Sequence, residues 1–178
     1  IQARRQPGSA FKPIIFGAAI EQGLTPASVV VDNPVIFRND AIGKTWKPKN
    51  YGEKFYGPIS LREALTHSRN LATISLLKQV GMESTISFAR RLGITSPLTR
   101  DLSLALGSSG ISLINLTSAY SVFATGGNHV DPSFLVSVQD PAGEVLEKKK
   151  NTPTRVISEE VAFVVTDMLQ DVIRGGTA

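Results

Sequence analysis

Apolar positions Phe11, Ile14, Ile15, Ala18 and Ala19 recur at helical spacing and Gly23 ends the run, which predicts a buried helix over about 9–22. Val29 to Val31 and Val35 to Phe37, on either side of Asp32-Asn33-Pro34, read as short extended segments with a turn between them. The stretch Asn39 to Pro58 mixes Gly, Lys, Asn and aromatic residues without a period, so a long loop is expected over about 39–58; loops of that length tend to carry function. Ser60-Leu61-Arg62-Glu63 is a capping box that opens a helix through Thr66. That helix stops at Ser68-Arg69-Asn70, and a new one starts at Leu71 with Asn70 as its N-cap. Helices from Ser84 to Leu92, closed by Gly93, and from Ser112 to Thr125, closed by Gly126-Gly127, complete a helical subdomain over about 60–126, with a turn at Gly107-Ser108-Ser109-Gly110. Phe134 to Val138 and Val145-Leu146, joined by Asp140-Pro141-Ala142-Gly143, give a hairpin over about 134–146. The last helix runs over about 159–173, capped by Ser158 and ended by Gly175-Gly176, with Val161, Val164, Val165, Met168, Leu169 and Val172 as its apolar face.

Composition narrows the chemistry. With 178 residues, 42% of them hydrophobic, the chain can bury one sizeable core or two small ones. No run of about 18 apolar residues occurs and no signal-peptide pattern opens the sequence; Ile1-Gln2-Ala3-Arg4-Arg5 has the character of a piece from something longer. The absence of cysteine removes disulfides, thiolate nucleophiles and zinc–thiolate sites. His67 and His129 have no partner at ligand spacing and read as surface or packing residues, so neither a metal nor a cofactor is expected. The formal charge of +4 comes without a nucleic-acid pattern: the cationic run Lys148-Lys149-Lys150 follows a turn, lacks interleaved aromatics and reads as a solvated loop.

The chemistry-bearing stretch is Pro7-Gly8-Ser9-Ala10-Phe11-Lys12-Pro13. A serine and a lysine three residues apart share one helical face, so the amine can serve the hydroxyl. Gly8 permits a tight approach and Pro13 suits a first helical turn, which places Ser9 at the positive end of a helix dipole where free N–H groups can hold an oxyanion. At an ordinary pKa only about one lysine in 2,500 is neutral at pH 7, so Lys12 must sit in a perturbing environment for the pair to react. Ser75-Leu76-Leu77-Lys78 repeats the spacing inside an apolar helical run and is a control: there a serine bonds its own backbone and a lysine reaches solvent. Ser68 and Asn70, at the junction of two helices, have two readings on local evidence: capping alone, or polar groups turned into a shared cleft. Lys44-Thr45-Trp46 begins like a Lys-Thr-Gly triad, but tryptophan in place of glycine would block a substrate at a strand edge, so it reads as a decoy. Asn115-Leu116-Thr117 matches a glycosylation acceptor only by chance, inside an apolar helix.

Together these pieces resemble the transpeptidase domain of penicillin-binding proteins, whose signature is SxxK, SxN and Lys-Thr-Gly. Arg5 through Pro13, Trp46-Lys47-Pro48-Lys49-Asn50-Tyr51, Leu61 through Leu65 with Ser68-Arg69-Asn70, and Ala119-Tyr120 with Phe123-Ala124 look like the bifunctional class A members, particularly the 1A type. The resemblance spans nearly the whole chain. It implies that Ser9 is the acylated nucleophile and Lys12 its base, that Ser68 relays a proton to the departing D-alanine, and that Asn70 binds the substrate amide and orients Lys12. It also implies one oxyanion donor at the Ser9 N–H. Peptidoglycan stem peptides are the implied substrates and β-lactams the implied inhibitors, at the extracytoplasmic face of a bacterial inner membrane, with the anchor outside this chain.

The sequence departs from that signature in one respect, since no Lys-Thr-Gly occurs. In the family this triad lies on a strand after the helix that here ends at Gly175-Gly176. The expected fold is therefore a mainly helical α+β fragment, the helical part of a penicillin-binding transpeptidase (serine β-lactamase-like) fold without most of its central antiparallel sheet. Such a piece, lacking one oxyanion donor and the carboxylate-binding strand edge, is expected to be nearly inactive alone, and to need the remainder of its domain or a second chain to cover its apolar helix faces. The rival readings are a D,D-carboxypeptidase or β-lactamase, which passes the acyl group to water, and a non-catalytic β-lactam-binding sensor.

Overall fold

A computed structural model describes residues 3–39, 44–150 and 152–178. Its centre is α1 (Lys12–Glu21), buried from Lys12 to Ile20. A helix apolar on all sides has no solvent face and must lie inside a layer of others. Packed round it are α3 (Asn70–Val80), α4 (Met82–Arg91) and α6 (Glu159–Gly175), with α2 (Leu61–Thr66) between α1 and α6 and α5 (Leu113–Ala124) against α6. Gly17 lets the Phe88 ring of α4 lie directly on α1, since a Cβ there would stand 2.8 Å from that ring.

The helix starts follow local rules. Ser60, Ser112 and Ser158 each accept a hydrogen bond from the backbone N–H three residues on, capping α2, α5 and α6. Helix ends lie within two residues of the predicted ones, α4 beginning at Met82 directly after Gly81 and α6 continuing through Gly175, except that α1 begins three residues late, at Lys12. Arg62 of α2 donates to Asp167 at 2.6 Å and also to Asp171, tying α2 to α6; these groups are partly exposed, so the pairs contribute about 1 kcal/mol or less each.

The strands are short and paired two by two: β1 (Arg4–Arg5) with β6 (Ile111–Ser112), β2 (Val29–Asp32) with β5 (Gly57–Ser60), β3 (Phe37–Asn39) with β4 (Lys44–Trp46), β7 (Asn128–His129) with β10 (Thr154–Arg155), and β8 (Ser137–Gln139) with β9 (Val145–Lys148). In β2 the side chains alternate, with Val30 and Asp32 buried and Val29 and Val31 exposed. The pairing Val30↔Ile59 puts both side chains in the core.

Four expectations are corrected here. Residues 39–58 are not one irregular loop: they hold β4, a 3-10 turn at Tyr51–Glu53 and the start of β5, because Phe37 and Trp46 stack with ring centroids 5.3 Å apart and pair β3 to β4. Residues 40–43 of that stretch lie outside the described residues. The extended segment expected over Val35–Phe37 forms at Phe37–Asn39 instead, and β2 takes β5 as its partner. The segment expected to carry the nucleophile does not open as an α-helix at Ser9: a 3-10 turn covers Gly8–Phe11, and α1 starts at Lys12 with Pro13 in its first turn. The control pair behaves as predicted for Lys78 and differs for Ser75, whose hydroxyl donates to Val31 O at 3.1 Å rather than to its own helix.

Candidate active site

Ser9 sits in the 3-10 turn that leads into α1, so its N–H lies among the first donors of a helical segment, which have no partner inside it. The turn is held from behind. Gly8 N donates to Gly107 O at 3.3 Å, and Gly107 (φ 66°) approaches so closely that a Cβ there would fall on the Gly8 backbone. Gly107 ends a 3-10 helix over Leu102–Leu106 that the sequence pattern did not reveal. On the other side Tyr120 of α5 donates to Ala10 O at 2.8 Å, and its burial pushes its own pKa up to about 12.

Lys12, one turn on, is buried, and its ammonium has three acceptors: Ser68 O at 2.6 Å, Ser68 Oγ at 2.9 Å and Asn70 Oδ1 at 2.7 Å. Those three bonds use every donor of the group. Ser68 Oγ in turn donates to Ser9 Oγ at 2.9 Å. The four residues thus form one connected set, but not with the direct Ser9–Lys12 bond that the spacing suggests. Among the described residues the link between them is the Ser68 hydroxyl. Burial lowers the Lys12 pKa to about 8, with the Asp32 carboxylate acting in the opposite sense.

Ser68 holds its place at a cost. Its N–H bonds Leu65 O and the Arg69 N–H bonds Ala64 O, the two bonds of a Schellman end to α2, with Ser68 at the left-handed position (φ 52°) where glycine is usual. A side chain there costs roughly 1–2 kcal/mol. What it gains is a hydroxyl aimed between Lys12 and Ser9.

Asn70 is the first residue of α3 rather than its N-cap, and no side chain of the junction caps that helix. Its Oδ1 faces Lys12 and its Nδ2 donates to Lys49 O at 2.9 Å. The capping reading of Ser68 and Asn70 is therefore corrected: both side chains bond toward the cleft. The first N–H groups of α3 are held from a distance by two residues that sequence reasoning missed. Asn50 Oδ1 accepts from Asn70 N at 2.8 Å and Leu71 N at 3.2 Å, and Asp32 Oδ1 accepts from Ala72 N at 3.3 Å. A buried polar pair that meets only in the fold leaves no periodic signal; the only hint was Asn50 inside an unpatterned, functionally suspect stretch.

Two openings meet at Ser9. One, of about 200 Å³, runs inward past Lys12, Leu65, Tyr120, Leu169 and Val172. The other, of about 430 Å³, is bordered by Tyr51, His67, Ser68, Arg69 and Asn70. Ser9, Ser68 and Thr177 line both, and Thr45 and Trp46 of β4 line neither. His129 packs on Gly93 and meets Ser118 Oγ at 3.2 Å, away from these openings. A hydroxyl bonded to a second hydroxyl, itself bonded to a lysine of lowered pKa, can lose its proton and attack an acyl carbonyl.

Comparison with known proteins bears on the same surface. The family model of the penicillin-binding protein transpeptidase domain matches residues 1–178. The chain is 43% identical over 168 residues to penicillin-binding protein 1A of Pseudomonas aeruginosa, covering 94% of this chain and 20% of that protein. The crystal structure of penicillin-binding protein 1A from Haemophilus influenzae superposes with a TM-score of 0.93 at 29% identity, over 100% of this chain and 31% of that one. The penicillin G acyl-enzyme complex of penicillin-binding protein A from M. tuberculosis shares the fold, with a TM-score of 0.86 at 22% identity, over 98% of this chain and 45% of that one. The chain spans about a fifth to a quarter of the length of the curated relatives it matches. From a model match along its whole length, and from relatives that share its architecture as well as its residues, the chain belongs to the penicillin-binding protein transpeptidase family.

Proposed function

We propose that this segment carries the nucleophile half of a D,D-transpeptidase that cross-links peptidoglycan stem peptides through a serine acyl-enzyme, and that β-lactams trap it as an ester on Ser9. The observation that supports this most is the unbroken chain Ser9 Oγ, Ser68 Oγ, Lys12 Nζ, Asn70 Oδ1, each link between 2.7 and 2.9 Å. The proposed sequence starts with Lys12 neutral. As Ser9 Oγ attacks the carbonyl of the penultimate D-alanine, the Ser9 proton passes to Ser68 Oγ and the Ser68 proton to Lys12 Nζ. The carbonyl oxygen becomes an oxyanion beside the Ser9 N–H. When the C–N bond breaks, the proton returns through Ser68 to the amine of the departing D-alanine, and the ester remains on Ser9. An amine from a second stem peptide then repeats the steps in reverse and releases Ser9. Asn70 keeps Lys12 in place and turns toward the substrate amide.

The site belongs at the extracytoplasmic face of the inner membrane, held there by a part of the protein outside this chain; no described helix is long and apolar enough to cross a membrane. By itself the segment is proposed to be nearly inactive, its partner being the rest of the same domain. The test is labelling of the full-length protein with fluorescent penicillin, followed by release. Ser9→Ala should abolish the label and Ser75→Ala, whose hydroxyl is bonded to Val31 O, should keep it. An adduct that persists for many turnovers' worth of time is expected of a transpeptidase, and rapid release would favour the carboxypeptidase or β-lactamase reading. Labelling that survives Ser9→Ala would end the acyl-enzyme reading altogether.

A further inference from the structure

The buried carboxylate of Asp32, in β2, lies well away from the SxxK turn in sequence, yet it stands directly behind the site. It accepts from Asn50 Nδ2 at 2.9 and 2.8 Å, from Tyr56 N at 3.1 Å and from Ala72 N at 3.3 Å. Asn50, also buried, turns its other end outward, where its Oδ1 takes the N–H groups of Asn70 and Leu71. The adjacent residue, Lys49, offers its carbonyl to Asn70 Nδ2. Asn70 is thereby gripped at its backbone and at one end of its amide by a single short stretch of chain, and that stretch is fixed through Asn50 to Asp32.

The consequence concerns which way the amide faces. With Nδ2 committed to Lys49 O, the oxygen is the end left for Lys12; turned over, the amide would set a donor against an ammonium. We propose that Asp32 and Asn50 are positioning residues of the acylation machinery, orienting Asn70 so that its Oδ1 fixes the Lys12 amine against the Ser68 hydroxyl. This rests on the reading of Lys12 as the base. A carboxylate confined to capping α3 would need only backbone donors; here it also locks the side chain that reaches the site.

The full-length protein that carries this segment is the material for the test, with acylation by fluorescent penicillin followed across pH and thermal unfolding measured on the same samples. Asp32→Asn keeps the shape but turns a donor toward groups that are all donors. The expected result is an acylation rate per folded molecule lower by about 10- to 100-fold, as for a small misplacement of a reacting group. The rising limb of the pH profile should also move to lower pH, because Lys12 loses an anionic neighbour. Among the described residues the other titratable groups round Lys12 are Tyr120 from α5 and, in the adjoining opening, Tyr51 together with His67 and Arg69 between α2 and α3; α6 presents Leu169 and Val172. None of these changes in the variant. Asn50→Ala should lose rate to a similar degree with the limb in place, and Asn50→Ser, a milder change, carries the test if the first two do not fold. A rate per folded molecule and a pH midpoint equal to the parent's in these variants would overturn the positioning role while Ser9→Ala still abolished labelling. Labelling retained in Ser9→Ala would overturn the role together with the reading beneath it.

Discussion

Lys12 shows how the fold perturbs a common residue toward the base proposed for it. Its amine is buried among α1, the α2–α3 junction and α5, and burial brings its pKa down to about 8. At pH 7 about a tenth of such a group is neutral, against about one in 2,500 for an ordinary lysine. The same shift has a sign in stability: the unfolded chain binds the proton more tightly between pH 8 and 10.5, so the folded state gains as pH rises through that window. Burying this ammonium at neutral pH is thus a cost, partly offset by its three acceptors. Acylation should rise about tenfold per unit below pH 7 and level off above pH 8. Lys12→Arg, charged at every accessible pH, should be slower by at least about 100-fold and without that rise. Stopped-flow acylation between pH 6 and 9 decides this, and a flat profile for the parent protein would remove Lys12 as the base.

Among the elements, the 3-10 turn that carries Ser9 depends on a close backbone approach. Gly107 and Gly23 both have left-handed φ, 66° and 93°, but a Cβ at Gly23 meets nothing within 4 Å and one at Gly107 meets the Gly8 backbone. Both alanine variants should lose about 1 kcal/mol or more to backbone strain, with Gly107→Ala losing roughly 1–3 kcal/mol further to overpacking. Only Gly107→Ala should also slow acylation, since the shift it forces falls next to Ser9. Denaturant melts and labelling rates on the two proteins test this, and equal labelling would mean that the turn is held by something else. The contrast also shows what a sequence discloses. Serine caps at Ser60, Ser112 and Ser158, and the apolar stripe of α6, follow from neighbours three and four residues away, so they were legible. The Gly8–Gly107 contact, the pairing of β2 with β5 and the Asp32–Asn50 link join residues far apart in the chain, and no local rule encodes them. Ser68 illustrates the limit: its place at a helix junction was readable, but its left-handed backbone and its bond to Ser9 required the fold.

At the scale of the molecule, the well-packed interior round α1 contrasts with apolar side chains left in solvent. Phe163 and Ile173 of α6 are 71% and 70% exposed, and Phe134 and Val136, just before the β8–β9 hairpin, are 79% and 73% exposed. Scattered single residues of this type are ordinary, but two large ones on one helix whose opposite face is core are where the proposed remainder of the domain would pack. The openings at Ser9 point the same way. The sequence holds no Lys-Thr-Gly to supply a strand edge for a substrate carboxylate beside them. In the proposed reaction the Ser9 turn supplies one oxyanion donor, and the loss of a second is worth about 100-fold or more in rate. The segment expressed as residues 1–178 should therefore take up fluorescent penicillin at least about 100-fold more slowly than the full-length protein, and should bind a dye such as anilinonaphthalene sulfonate at its exposed α6 face. Adding the rest of the domain in trans should raise the labelling rate, and it should quench the dye as well if that remainder packs on the exposed α6 face. A segment that stays monomeric, leaves the dye dark and labels at the full-length rate would show that the nucleophile, its relay and its lysine are sufficient without a second layer.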